Sequence, residues 1–361
     1  MSVPGQRRTP GRFHTGPVLT RGVIALLGVL ALILGPAAAA GAKPPPYRTA
    51  EPRRYAVIDL GGLGGPGGTT ARAINDAGAV VGDSDTGAAR HAFRWISGTM
   101  TDLGTLPGGG RSTAAGINED GVIVGTAHRP TGEPRAVIWR DGVVVDLGLP
   151  RSHGLAVNDT GDVLALTTSG AGVTDRVLWR AGRVTGLGAE TSQRATEGDL
   201  NNRGTVTLRL RGTPGSPWHA GTQHAGIQPA GTQPAGTVRG YARPGAAAAI
   251  NNSGVVVGYA RGAHGRIRPV AAPGGPEPFG DALRDLATLG GPDGAATAVN
   301  DRGVIAGYAD TAAGQSRPVL WKSGRVVDLT TRGVPPAAVI ADLSRPGRMI
   351  ATLGYRSYLL A

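Results

Sequence analysis

The 361-residue chain has no cysteine, which excludes a disulfide framework and a thiolate metal site but leaves the compartment open, because an exported protein can fold without bridges. Lysine is almost absent too: only Lys43 and Lys322 occur, so the formal charge of +12 is arginine charge. Those arginines are dispersed through loops, and without a basic stripe the sequence carries no nucleic-acid footprint. The common catalytic signatures are missing as well: there is no G-x-S-x-G elbow, no H-E-x-x-H helix and no G-x-x-x-x-G-K-[ST] loop. A G-x-G-x-x-G match at Gly62, Gly64 and Gly67 is interrupted by Pro66 and followed by strand-like residues, whereas a dinucleotide fingerprint needs a helix N-terminus there. His91, His128, His153, His219, His224 and His264 show no metal spacing, and Asp83 with Asp85 forms only a fragment of a calcium loop. No catalytic, cofactor-binding or metal-ligating residue is therefore assigned, the ligand-binding residues stay open, and no cofactor is expected.

Glycine and proline are abundant, at 61 and 27 residues. They lack a collagen period and punctuate alternating valine-rich segments, as turns between strands do. The phrase A-I-N-D-A-G-A-V-V-G from Ala73 returns as G-I-N-E-D-G-V-I-V-G from Gly116 and A-V-N-D-T-G-D-V-L-A from Ala156. Further copies centre on Asn201, Asn251 and Asn300, with a worn seventh at Ser344, and the spacing is 40 to 50 residues. Such a period indicates stacked supersecondary units that share a core. The Asn suits the opening of a type I turn, and the Gly three residues on supplies positive φ.

Two more landmarks recur. Asp-Leu at Asp59, Asp102, Asp146, Asp285 and Asp328 precedes the next Asn or Ser landmark by 12 to 16 residues. Tryptophan at Trp95, Trp139, Trp179 and Trp321 follows its Asn by 20 or 21. One period then holds four short extended segments, which is the unit of a propeller blade, and the tryptophans take a packing role between sheets. The expected fold is all-β, a seven-bladed β-propeller of four-stranded blades over residues 55–361. Its N-terminal strand, Tyr55–Leu60, would complete the last blade and so close the array. Residues 212–245, with the near-repeat A-G-T-Q-H-A-G-I-Q-P-A-G, read as a low-complexity insertion or a degenerate fourth blade with Trp218 as its displaced tryptophan.

Arg7, Arg8, Arg12 and Arg21 precede an apolar run from Val23 to Leu34, then Pro36 and four alanines. Residues 1–42 therefore read as a secretory signal peptide and 43–54 as a flexible linker, so the remainder is expected to be extracellular, without a stable membrane span once the signal is removed. A retained anchor is the alternative.

His91-Ala92-Phe93 with Trp95, flanked by I-N-D-A-G-A-V-V-G and T-D-L-G-T-L, resembles the bacterial extracellular HAF-repeat family, named for that tripeptide. The resemblance covers about residues 55 to 361 and implies an exported, propeller-like repeat protein without a catalytic motif to carry over. The expected function is a monomeric, non-catalytic binding module for a glycan, an envelope polymer or a protein. The alternative is a hydrolase or lyase acting on an extracellular polymer, with acids such as Glu119, Asp120 or Glu133 converging in a central channel.

Overall fold

A computed structural model describes residues 54–190, 198–211, 218–224, 238–273 and 283–361. The expected signal peptide and all but the last residue of the expected linker lie outside these. β1 (Val57–Asp59) stands before the first full copy, which is β2 (Thr69–Ile74), β3 (Val80–Asp85), β4 (Arg90–Ile96) and β5 (Thr99–Asp102). The second copy is β6 (Ser112–Ile117), β7 (Ile123–His128), β8 (Pro134–Arg140) and β9 (Val143–Asp146); the third is β10 (Ser152–Val157), β11 (Val163–Thr168), β12 (Thr174–Arg180) and β13 (Arg183–Glu190). Then come β14 (Thr205–Arg211), β15 (Trp218–His224), β16 (Val238–Ile250), β17 (Val256–Arg261), β18 (Ile267–Ala272) and β19 (Arg284–Asp285). The sixth copy is β20 (Gly290–Val299), β21 (Ile305–Thr311), β22 (Ser316–Lys322) and β23 (Arg325–Asp328), and the chain ends with β24 (Val339–Leu343), β25 (Met349–Leu353) and β26 (Arg356–Leu360). Every ladder among these strands is antiparallel.

The described strands form six sheets, five of four strands and one of six, so the expectation of seven blades is corrected to six. The cause is in the fourth copy. Among the described residues its innermost position is held by a bridge between Leu200 and Val206. Its outermost strand is the front of β16, which pairs β15 through Val238–Gly240 and Pro244 and then runs on to pair β17 through Gly245–Ile250. No turn separates the fourth copy from the fifth, and the two share one sheet. The described parts of the low-complexity stretch are thus paired strand, while 212–217 and 225–237 lie outside the described residues. Register also places Trp218, expected as the displaced tryptophan of this copy. Tryptophan elsewhere pairs the residue five after the Asn, as Val80 with Trp95 and Ile123 with Trp139, but in the fourth copy Val206 faces Gln223 and Trp218 sits at the far end opposite Arg211.

The repeated phrase now has a mechanical account. Gly78, Gly121, Gly161, Gly204, Gly254, Gly303 and Gly347, each three after the landmark, all have positive φ between 71° and 101°, which costs a glycine nothing. The innermost strand of each full copy carries a bulge just before the Asn, and it presses the neighbouring strand closely. A Cβ at Gly82 or Gly125, the last residue of the phrase, would stand 1.9 or 2.0 Å from the carbonyl oxygen of Thr70 or Thr113. The core lies between neighbouring sheets. Trp139, 1% exposed, packs with Val81 and Ala92 of the preceding sheet, and Trp95 packs with Ile350 and Leu359 of the last one. Removing one such ring would cost about 3–5 kcal/mol. β1 pairs with β26, Val57 opposite Leu360, so the last sheet takes its fourth strand from the other end of the chain. Among the described residues no helix is long and apolar enough to cross a membrane.

Candidate functional site

The seven landmark turns lie at one end of the sheets and together line a cavity of about 180 Å3. Each Asn side chain serves two turns at once. Its Oδ1 accepts the N–H four residues on, as Ala79 to Asn75 at 3.0 Å and Val122 to Asn118 at 2.8 Å. Its Nδ2 donates to the landmark carbonyl of the next copy: Asn75 to Asn118, Asn118 to Asn158, Asn158 to Asn201, Asn201 to Asn251, Asn251 to Asn300 and Asn300 to Ser344, all at 3.0 to 3.2 Å. These amides are buried, so each bond satisfies groups that water does not reach.

The next residue in each copy forms a second tier: Asp76, Glu119, Asp159, Asn202, Asn252, Asp301 and Arg345. In five copies the backbone N–H donates to the side chain of the following copy, Asp76 to Glu119 at 3.0 Å, Glu119 to Asp159 at 3.0 Å, Asp159 to Asn202 at 2.9 Å, Asn202 to Asn252 at 2.8 Å and Asn252 to Asp301 at 2.8 Å. Arg345 has no acceptor to offer. It instead donates its N–H to Asp76 Oδ1 at 2.7 Å and spreads its guanidinium between Asp76 and Asp301, at 3.3 and 3.2 Å. Four carboxylates and one guanidinium thus face this mouth. Burial pushes the Glu119 carboxyl above its ordinary value, the Asp76 N–H opposes that, and the charges of Asp76 and Asp159 add to the rise.

Two further carboxyls, two residues before their landmarks, are close enough for the charge of Asp199 to act on Asp342. Asp199 accepts N–H groups from Ile250 (2.9 Å) and Leu200 (2.8 Å), and Asp342 accepts them from Ile74 (3.0 Å) and Leu343 (2.7 Å). Both residues are half-buried, and the loss of solvation of their carboxyls, only partly offset by the N–H bonds, pushes each up to about 6. In five copies this position, two before the landmark, is Ala73, Gly116, Ala156, Ala249 or Ala298. The two aspartates tie the fourth copy to the fifth and the seventh to the first. Sequence reasoning missed them; aligning the repeats by their landmarks would have shown an acid where five copies carry only Ala or Gly.

Of the acids expected to converge, Glu119 joins the mouth. Asp120 occupies the exposed tip of the same turn, and Glu133 lies elsewhere, against Arg135 at 3.3 Å and the N–H of Arg151 at 3.3 Å. His91 also has a structural post: its Nδ1 lies 2.8 Å from Asp102. The same place, four residues before the tryptophan or its counterpart, is held by Arg135 against Asp146 (3.1 Å), Arg268 against Asp285 (3.8 Å) and Arg356 against Asp59 (3.1 Å). Ala92 donates its N–H to Ser112 Oγ of the next copy at 2.9 Å, as Ala136 does to Ser152 at 2.8 Å, and Phe93 is fully buried. All three residues of the H-A-F tripeptide therefore hold the fold. His128 and His153 lie near each other; burial, and for His153 the neighbouring His128, pushes both imidazoles below their ordinary value. Asp83 is held by Arg72 (2.9 Å) and Arg90 (2.5 Å), and Asp85 accepts the N–H groups of Gly67 (2.6 Å) and Gly87 (3.0 Å), which hold its carboxyl low. The glycine-rich stretch from Gly62 to Gly67 is a loop folded onto Asp85, not a phosphate cradle at a helix.

The β-propeller domain of the Trilobed protease from Pyrococcus furiosus, described as having an open velcro topology, superposes with a TM-score of 0.53 at 8% identity over 81% of this chain and 92% of that one. The fold is a β-propeller. A puromycin-hydrolyzing peptidase of Mycobacterium tuberculosis matches at a TM-score of 0.49 and 15% identity, over 79% of this chain and 49% of that one, so this propeller spans about half the peptidase's length. A lectin of Aleuria aurantia, in complex with Fucα1-6GlcNAc, matches at 0.37 and 10% identity over 74% and 97% of the two chains. The sequence matches no protein-family model, and no curated protein matches it.

Proposed function

We propose that this propeller is an exported, non-catalytic interaction module of the HAF-repeat kind, closed by the pairing of β1 with β26, which binds an envelope glycan or polymer through the polar mouth of its channel. One observation carries the reading. Every carboxylate of the mouth accepts a backbone N–H of a neighbouring copy, so these acids are fasteners, and none is left as a free acid–base pair. The outer edges of the carboxylates, the amides of Asn202 and Asn252 and the Arg345 guanidinium offer alternating acceptors and donors, the chemistry that hydroxyl-rich ligands meet. A glycan array probed with the full chain tests this: bound glycans should be lost on Glu119→Gln with Arg345→Gln. Binding that survives both changes moves the site elsewhere.

A second reading, hydrolysis of such a polymer, draws on Asp199 and Asp342, whose carboxyls are raised to about 6 by burial, the charge of Asp199 adding to the rise at Asp342. It requires that the wild type release reducing ends from the polymer it binds and that Asp342→Asn abolish the release. Binding without release leaves the first reading standing.

A further inference from the structure

The junction between the sixth and seventh copies departs from the repeat in three ways at once. First, Arg317 stands where Arg135, Arg268 and Arg356 stand, and Asp328 is in register opposite Val319, as Asp146 is opposite Val137. Asp328 accepts the N–H two residues on, Thr330 at 2.8 Å, as Asp146 accepts Gly148 at 2.9 Å, but it takes the Thr330 hydroxyl of the short 3-10 helix Leu329–Arg332 at 2.7 Å where Asp146 takes Arg135. Arg317 keeps one neutral partner, Gln315 Oε1 at 2.6 Å, and its buried Nε makes no hydrogen bond. Second, the N–H to hydroxyl stitch is erased on both sides: Pro318 replaces Ala136, and Ala338 replaces Ser152. Third, what remains is a cavity of about 420 Å3 bordered by Tyr308, Arg317, Pro318, Pro336, Ala338 and Val339.

That volume falls within the range of small-molecule sites, and so does the character of the walls, apolar with few polar groups. Burial, then the charges of Asp310 and Asp293, holds the Tyr308 phenol protonated as a donor, and Asp293 is itself paired with Arg266 at 3.3 Å. The positive charge on this cavity is therefore Arg317, at a position that meets a carboxylate in three other arginine-bearing copies. We propose that this cavity binds a small apolar ring compound bearing one carboxylate, which takes on Arg317 the place that Asp146 takes on Arg135. The site is separate from the channel mouth, and its test is independent of the function proposed for that mouth.

Benzoate is the probe, with benzamide as its neutral isostere and glucuronate as a polar ring acid, each titrated into the full chain by calorimetry and ligand-observed NMR. Benzoate should bind, with benzamide weaker by about tenfold or more, since a charge-assisted hydrogen bond contributes about that much, and glucuronate weaker because apolar walls strip water from its hydroxyls without replacing it. Arg317→Gln should weaken benzoate by about tenfold while leaving the melting temperature near wild type, and Arg317→Lys should restore part of the affinity. Val339→Trp, at a residue 59% exposed on the rim, should block binding without disturbing the core. Absence of benzoate binding, equal affinity for benzamide, preference for glucuronate, or affinity unchanged in Arg317→Gln would each overturn the proposal.

Discussion

The junction between the second and third copies and that between the sixth and seventh share one backbone frame but differ in chemistry. At the first, Ala136 N–H meets Ser152 Oγ, and Arg135 meets Asp146. At the second, Pro318 has no N–H to give, Ala338 no hydroxyl to receive it, and Asp328 caps a helix instead. Donor and acceptor vanish together, which avoids an unsatisfied buried group. What both junctions keep is the inner stitch, Asn118 to Asn158 at 3.0 Å and Asn300 to Ser344 at 3.0 Å. The comparison teaches that this propeller is held from its axis outward, and that its outer junctions are free to diverge.

The strongest way to break that comparison is at the shared stitch. Asn118→Ala and Asn300→Ala each strand one N–H, that of Val122 or Val304, and take one of two bonds from the next landmark carbonyl, and each should cost about 2 kcal/mol in a urea titration; a small loss at either would mean that the outer contacts hold that junction. The next effect concerns junctions where an acid has been added. Asp199 and Asp342 hold their protons up to about pH 6 in the fold, against an ordinary value of 3.8, so their folded pKa is raised. Their contribution is then full below pH 4 and is lost as pH rises through 6, by about 2 kcal/mol each. Melting followed from pH 4 to 7 should show falling stability, and Asp342→Asn should roughly halve the fall; an unchanged slope would show that the proton sits elsewhere. The smallest effect sharpens the contrast between outer junctions: Ser152→Ala should cost about 1.5 kcal/mol by stranding Ala136 N–H, whereas Ala338→Ser opposite Pro318 should gain nothing. Equal and opposite effects would contradict paired loss.

Much of the architecture was legible because it is local. The Asn and Gly of each turn, the alternating valines and the spaced tryptophans act within one hairpin or on the next sheet, and repetition makes them visible. The count of blades was not. Seven landmarks are present, but the turn that would part the fourth copy from the fifth is replaced by the single strand β16, and tandem Gly-Pro-Gln composition does not show where one ladder becomes another. Glu119, Asp120 and Glu133 were expected to converge with one another; Glu119 instead meets Asp76 and Asp159, while Glu133 went to Arg135, because residues one turn apart can lie at opposite ends of a strand. Arg317 resembles its counterparts in sequence; what sets it apart is that Asp328 takes the Thr330 hydroxyl where Asp146 takes an arginine.

By itself, then, the sequence determined an all-β array of four-stranded units, since strand period, turn residues and repeat length are properties of short contiguous segments. The tertiary structure decided which copies share a sheet, which acids become fasteners, where two aspartates lose their solvation and where an arginine loses its carboxylate. The fasteners and the two aspartates depend on partners 40 or more residues away in the chain, and their desolvation exists only once the sheets have packed.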